Sequence, residues 1–373
     1  MANSELITKF TGLVRQYAAP RKGLLKYFTA RPGNITDATT IEFHKLSNYR
    51  YTSKALARHA EGVLNDAQNY QKITKTPPKL EEEMPFVLAD YDRVPAGSTQ
   101  YETETREALM MAKVADDVAL LLDKMTRAEH LQVAEIFHNG KILFRTNSIG
   151  RGVDDIDFES PATNFATLTN STGTLYWDNA SADPWSNLET HCKLIETNSG
   201  GRAFVKDIII GETAFVNMMK NTAFIAKFNT LKMTVGTIEL QEADADGFSL
   251  VGIVVLNGHR VRLLTLTEKY ISPADDTTLK SFVDPKSVLF IAEGSYQIYY
   301  AGVDVIKGID DSRLLSFIPA SGMIREIGAR TASSMYMSTY RSKKGDSVML
   351  NIKKFPLYVP ETSDTFGRLT VLA

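Results

Sequence analysis

Residues 101–140 read YETETREALMMAKVADDVALLLDKMTRAEHLQVAEIFHNG, and this stretch decides the fold. From 101 to 138 neither Gly nor Pro occurs, and strong helix formers dominate. Met111, Val114, Val118, Leu121, Leu122, Met125, Ala128 and Leu131 recur at intervals of three and four, which gathers them on one face. Asp116, Asp123, Lys124 and Arg127 take the other face. The pattern predicts a helix over about 101–138, stopped at Asn139-Gly140, where glycine accepts the left-handed turn that ends helices. At 1.5 Å per residue such a helix spans about 50 Å, longer than a compact domain requires, so it reads as a spine.

Toward the N-terminus the charge is strongly segregated. Residues 80–104 carry Glu81, Glu82, Glu83, Asp90, Asp92, Glu102 and Glu104 against Arg93 alone. Residues 44–79 reverse the sign, with Lys45, Arg50, Lys54, Arg58, Lys72, Lys75 and Lys79 against Glu61 and Asp66. Pro77, Pro78, Pro85 and Pro95 forbid a continuous helix, because each lacks an N–H and restricts the residue before it. Residues 44–79 therefore read as a long exposed protrusion that returns into a strand near 86–88. Two arrangements fit the charges: two solvated faces that neutralise each other within one molecule, or a basic excursion on one copy that meets an acidic strip on the next. In the second, Lys45, Arg50, Lys54 and Arg58 face Glu81, Glu82 and Glu83 across a subunit contact.

On the other side of the spine, residues 146–187 are rich in Thr, Asn, Ser, Asp and Gly and read as loop with short strands. Asp183-Pro184 then opens a helix to about Thr197, with Asp as N-cap and Pro in the first turn. A β-rich run at 204–210 and a helix over 212–228 follow. Asn257-Gly258, between apolar runs at 250–256 and 260–266, is a hairpin signal, since both turn residues must tolerate positive φ. Further strands are expected at 288–292, 297–300, 335–340, 347–353, 357–359 and 368–372.

The chain of 373 residues is long enough for two domains. Its 42 Lys and Arg nearly cancel 44 Asp and Glu, so only a local patch could attract nucleic acid or an acidic membrane. Basic residues interleaved with aromatics occur at 9–31 and 325–355, without a recognisable nucleic-acid reading motif. The single cysteine, Cys192, removes an intramolecular disulfide and any Cys-rich metal site. No stretch reaches the roughly 18 apolar residues of a membrane span. Neither a phosphate loop nor a dinucleotide glycine fingerprint is present, and the six histidines form no metalloprotease motif, so no cofactor or metal is expected. Glu242-Ala-Asp244-Ala-Asp246-Gly247 imitates a calcium loop, but the closing glutamate's position is Ile253, so the run reads as a turn. Asp154, Asp155 and Asp157 could serve magnesium or acid–base chemistry, which would make the chain a soluble two-domain enzyme. The simpler reading is a polar loop.

The order of these features resembles the lambda-type major capsid proteins of tailed bacteriophages, which have the Johnson capsid fold. The resemblance is carried by Phe28-Thr-Ala-Arg-Pro, the helix around 108–137, Trp177 followed by Asp183-Pro184, the segments 204–214 and 270–292, and the aromatic-rich ending Phe355-Pro-Leu-Tyr-Val-Pro with 366–372. It implies an α+β fold with an N-terminal arm at 1–32, an extended loop and its flanking strands at 33–85, and a peripheral domain at 86–184 around the spine. An axial domain at 185–325 would be followed by a return to the peripheral domain at 326–373. It further implies a non-enzymatic major capsid protein that forms hexamers and pentamers of an icosahedral shell around double-stranded DNA, assembled in the host cytoplasm. A cellular nanocompartment shell or another virion component is the alternative within the same fold. No run of a hundred helical residues precedes the arm, so a separate scaffolding protein, a maturation protease and a portal protein are the implied partners. A decoration protein and non-specific contact with the packaged DNA also belong to that picture.

Overall fold

The structure is a computed structural model that describes residues 22–46, 70–87, 106–143, 155–171, 175–235, 246–272, 277–307, 327–331, 334–341 and 347–373. Helix α1 (Arg106–Asn139) runs for 34 residues, about 50 Å. The expected first turn at 101–105 lies outside the described residues. The stop falls where the sequence puts it: Gly140 has φ 71°, and its amide donates to the Ile136 carbonyl at 2.8 Å.

The two halves of α1 serve different cores. Val118, Leu121 and Met125 pack against Leu350 and Ile352, with Leu80 and Met84 beside them. Those partners sit on a three-stranded antiparallel sheet in the order Tyr336–Arg341, Ser347–Lys354, Leu80–Val87. Val133, Ala134, Ile136 and Phe137 enter a larger core built on aromatic rings. The ring of Phe137 lies 5.5 to 5.9 Å from those of Tyr27, Phe28, Tyr296 and Phe366. Between the halves, Glu129 is buried and accepts hydrogen bonds from Lys354 Nζ at 3.1 Å and from the Tyr358 hydroxyl at 3.0 Å. Burial first, then the Glu129 charge, pushes the Tyr358 hydroxyl well above the ordinary tyrosine range, so it stays a donor.

A six-stranded mixed sheet separates this aromatic core from a second one. Its order is Phe165–Thr167, Phe366–Thr370, Ser287–Ala292, Val205–Ile210, His259–Leu266, Phe248–Leu256. Strand Ser287–Ala292 is buried throughout, and its alternation divides the molecule: Leu289 and Ile291 face the α1 side, while Val288, Phe290 and Ala292 face a layer of helices. That layer comprises α2 (Pro184–Asn198), α3 (Glu212–Lys220) and α4 (Thr222–Val235), which contribute Leu188, Ile195, Ala214, Met218, Phe224 and Phe228 to the second core. Asp183 caps α2 as expected, accepting from the Ser186 amide at 3.1 Å.

The helix expected over 212–228 is a correction: it is two helices broken at Asn221. Apolar spacing continues across the break, but the Asn221 carboxamide oxygen accepts from the Phe224 amide at 2.9 Å, and its Nδ2 donates to the Ala182 carbonyl at 2.7 Å. A buried asparagine that caps the following helix and ties it to a distant loop overrides helix propensity. The hairpin agrees with its signal, with Asn257 at φ 51° and Gly258 at φ 82°, and Asn257 Nδ2 holds the tip to the Glu189 carbonyl of α2 at 2.9 Å. Asp246 and Gly247 form a turn, with Gly247 at φ 88°.

The last lap of the chain divides between the cores. Leu357, Tyr358, Val359 and Phe366 belong to the α1 side, whereas Leu369, Val371 and Leu372 belong to the helical side. Strand Phe366–Thr370 pairs directly with Ser287–Ala292, so residues on both sides of position 325 share one sheet. Strand Thr29–Ile35 runs across the expected limit at 32 and pairs in parallel with Tyr296–Tyr300.

His191, which is buried, and His138, which is half-buried, tie stability to pH. His191 Nε2 lies 3.1 Å from the Asn164 carbonyl with its ring against Phe290, and His138 Nε2 lies 3.3 Å from the Phe282 carbonyl. Burial brings each imidazole down to about 4, with Arg368 adding to the effect at His138. Between pH 4 and the unfolded value near 6.5 the unfolded chain binds more protons, so stability present above 6.5 is lost as pH falls. Urea unfolding is expected to show about 2 kcal/mol less stability per histidine at pH 5 than at pH 7. The same midpoint at both values would mean that the rings are not buried and neutral.

Candidate subunit-contact surfaces

The described ends of the segment expected to protrude form a two-stranded antiparallel ribbon, Ile41–Leu46 with Tyr70–Lys75, in the register Ile41↔Lys75 to Leu46↔Tyr70. It is anchored where its side chains are apolar. Ile41 is buried in the aromatic core, and the ring of Phe43 lies 6.4 Å from that of Phe158. Between them, Lys72 and the half-exposed Glu42 pair at 2.8 Å. Of the four basic candidates, Lys45 lies on this ribbon, its backbone opposite Gln71. Arg50, Lys54 and Arg58 fall outside the described residues.

The acidic candidates lie on the edge strand Leu80–Val87, and cations of the same chain already serve two of them. Glu81 accepts from Lys353 Nζ at 2.9 Å, from Asn351 Nδ2 at 2.7 Å and from Lys79. Partial burial opposes ionisation of Glu81, but the donors Lys79, Asn351 and Lys353 outweigh it and bring the carboxyl down to about 2. Glu82 meets Lys124 of α1 at 2.8 Å, which ties the strand to the spine. Glu83 is exposed and shares Asn351 Nδ2 with Glu81. The structure thus brings Glu81, Glu82 and Glu83 together on one strand but gives Glu81 and Glu82 an intramolecular duty. The periodicity of an edge strand carries no sign of this, because the lysines concerned come from elements 42 and 272 residues away.

Of the carboxylates considered for an enzyme site, one has a local structural role. Asp157, on the two-residue strand Ile156–Asp157, accepts the Glu159 amide at 2.7 Å and so closes a turn in which Glu159 takes φ 52°. Asp155 is exposed beside it, and Asp154 lies outside the described residues. Cys192 is buried in α2, and burial raises its thiol to about 12, the opposite of what a nucleophile requires. Among the described residues no three metal-ligating side chains converge, and no helix is long and apolar enough to cross a membrane.

One buried cluster missed by the sequence reading fixes the root of the N-terminal segment. Asp207, on the central strand, receives Arg262 in bidentate fashion at 2.6 and 2.7 Å and the Tyr27 hydroxyl at 2.8 Å. His130 of α1 reaches the Lys22 carbonyl at 2.6 Å. The turn Gly23–Tyr27 is thereby fastened to both the sheet and the spine.

Comparison with known proteins agrees with this architecture. The structure is similar to the crystal structure of the putative capsid protein of a prophage of E. coli CFT073, at 12% identity and a TM-score of 0.59, covering 100% of this chain and 99% of that one. A phage-related protein from Bordetella bronchiseptica RB50 matches at 12% identity and a TM-score of 0.46, covering 96% and 95%. An encapsulin complex from Synechococcus elongatus PCC 7942 matches at 8% identity and a TM-score of 0.43, covering 95% and 88%. No curated protein sequence matches the chain. The phage major capsid protein E family, however, matches over residues 11–371, nearly the whole chain. The mixed α+β architecture around one long helix is that of a phage major capsid fold, and this chain, a shell-forming head protein of the virion, belongs to the phage major capsid protein E family.

Proposed function

We propose that copies of this chain assemble as hexamers and pentamers of a closed icosahedral shell around double-stranded DNA, and that the work of each copy is mechanical rather than catalytic. Residues 185–325 would gather around the five-fold and six-fold centres, the loop 33–85 would lie across a neighbour, and the arm 1–32 would add a further contact. Residues 86–184 and 326–373 would make the peripheral body. Assembly in the host cytoplasm with a portal protein, a scaffolding protein and a maturation protease follows from the family resemblance, as does a decoration protein on the finished shell.

The observation that carries the reading is a long helix locked into two cores, together with a two-stranded ribbon that carries Lys45, Lys72 and Lys75. Helix α1 is locked into two cores, and the ribbon Ile41–Leu46 with Tyr70–Lys75 is rooted in the aromatic core by Ile41. Glu81 and Glu82 are already occupied by Lys353 and Lys124, so the carboxylates that complement Lys45, Arg50, Lys54 and Arg58 are best supplied by another copy, with the exposed Glu83 the most available of the strip. One exposed ion pair contributes only about 0.2 to 1 kcal/mol. Repeated around a closed shell at high effective concentration, such contacts sum to a durable assembly.

The double substitution Lys54→Glu with Arg58→Glu tests this directly. Negative-stain microscopy is expected to show loss of particles while circular dichroism of the soluble chain is unchanged. Wild-type particle yield from the double variant would contradict the role given to the loop.

A further inference from the structure

Among the described residues, strand Phe248–Leu256 is the last strand of the six-stranded sheet, and its sequence FSLVGIVVL contains no charge and no proline across nine residues. Soluble proteins ordinarily blunt such edges by making them short or by placing lysine or proline on them, since the unpaired N–H and C=O groups invite another strand. The opposite edge of the same sheet follows that practice, for Phe165–Thr167 is three residues long. The long edge does not.

Its two faces differ. Val254 and Leu256 are 1% exposed and point into the helical core, and Gly252 lies so close to the ring of Phe228 that a Cβ there would sit 2.7 Å from it. On the other face the α1-side core covers the first part of the strand, at Phe248 and Leu250. Beyond it Ile253 is 49% exposed and Val255 is 36% exposed. Directly opposite them on the adjacent strand stand Arg262 and Arg260. Arg262 is held by Asp207, whereas Arg260 is exposed and has no carboxylate partner among the described residues. The outer face of this hairpin is thus a β-branched pair bordered by two guanidinium groups.

We propose that the free edge of Phe248–Leu256, with Ile253, Val255 and Arg260, is an interface that a second copy of this chain covers by adding an extended segment, with a carboxylate of that copy opposite Arg260. The proposal rests on the shell reading and goes beyond it by assigning a contact that the arm and loop do not make. Nine residues give an edge of about 30 Å, and main-chain bonds along it would supply the contact while the outward side chains choose the partner. A single added strand falls short of the roughly 800 Å² per partner that a stable isolated pair buries. The edge therefore acts as one component of a contact repeated around a closed ring, and not as a dimer interface by itself.

The test uses the full chain. Ile253→Glu with Val255→Glu places carboxylates opposite Arg262 and Arg260, where cross-strand pairs keep the hairpin folded, yet puts charge on the outer face. Assembly followed by sedimentation is expected to require at least tenfold more protein than the wild type, with an unchanged urea midpoint. In the wild type, hydrogen exchange of amides in 248–256 is expected to be at least tenfold slower in particles than in dissociated chain. Assembly of the variant at the wild-type concentration, or equal exchange in particles and dissociated chain, overturns the proposal. Protection that arises only on adding a different virion protein would give the edge another occupant and overturns it as well. A wild type that never assembles would overturn the shell reading itself, a result distinct from either of these.

Discussion

Leu121→Asp is expected to destabilise the folded chain by about 4 kcal/mol or more, while Leu120→Asp, one position earlier, is expected to change stability by less than about 0.5 kcal/mol. The two leucines have the same chemistry and adjacent numbers, so only their direction differs. Leu121 is 6% exposed and packs with Val118, Met125, Leu350 and Ile352, whereas Leu120 is 63% exposed. A carboxylate at 121 would lose its hydration with no cation in that cluster to replace it. At 120 it would remain in water. Urea unfolding followed by circular dichroism at pH 7 distinguishes the two, and equal midpoints for both variants would show that the face of α1 has been assigned wrongly.

Phe137→Ala is expected to cost about 3 to 5 kcal/mol. Phe137 is fully buried, and its ring is shared among Tyr27, Phe28, Tyr296 and Phe366, which come from three separate stretches of chain. Removing the ring leaves a cavity that rigid neighbours cannot close, and it also forfeits edge-to-face contacts with Tyr27, Tyr296 and Phe366. Because Phe28 and Tyr27 root the N-terminal segment, the loss should be visible there as well as in global stability. Limited proteolysis of the variant is expected to cut near residues 22–28 faster than in the wild type. An unfolding midpoint within error of the wild type would mean that the aromatic core repacks around the gap.

Helix α1 also shows how far sequence can be read. Its first described turns obey a simple stripe: Val118, Leu121 and Met125 are buried at spacings of three and four, and Leu120 falls between them on the exposed side. The stripe was legible because one face of the helix meets a sheet and the other meets water. The second half departs from it. Glu129, His130, Gln132 and Glu135 are all buried there, because protein surrounds this half of the helix. The partners of Glu129 and His130, namely Lys354, Tyr358 and the Lys22 carbonyl, lie 108 to 229 residues away, and no periodicity within the helix can announce them. Turn chemistry was legible for the complementary reason. Asp183-Pro184, Asn139-Gly140 and Asn257-Gly258 act through their own backbone, and each sits where its local rule puts it. Asn221 escaped the same reasoning because its decisive bond, to Ala182, is tertiary.

The candidate contact surfaces were legible to a different degree. Segregation of charge between 44–79 and 80–104 is visible in the sequence and marks the ribbon and the strand beside it. Which carboxylates are free to meet another copy is a three-dimensional fact, since Lys353 and Lys124 reach Glu81 and Glu82 from other elements. The edge at Ile253 and Val255 could be recognised only after the strand order was known. Read alone, FSLVGIVVL is equally a central strand.

The central claim is that this chain is built to associate with copies of itself into a closed shell. Sedimentation velocity of the purified wild-type chain over a range of concentrations, with negative-stain microscopy of the fast fraction, tests it most directly. The account predicts a cooperative shift from slow subunits or capsomers to closed particles of uniform diameter. A single compact monomer that persists at the highest concentration would contradict it.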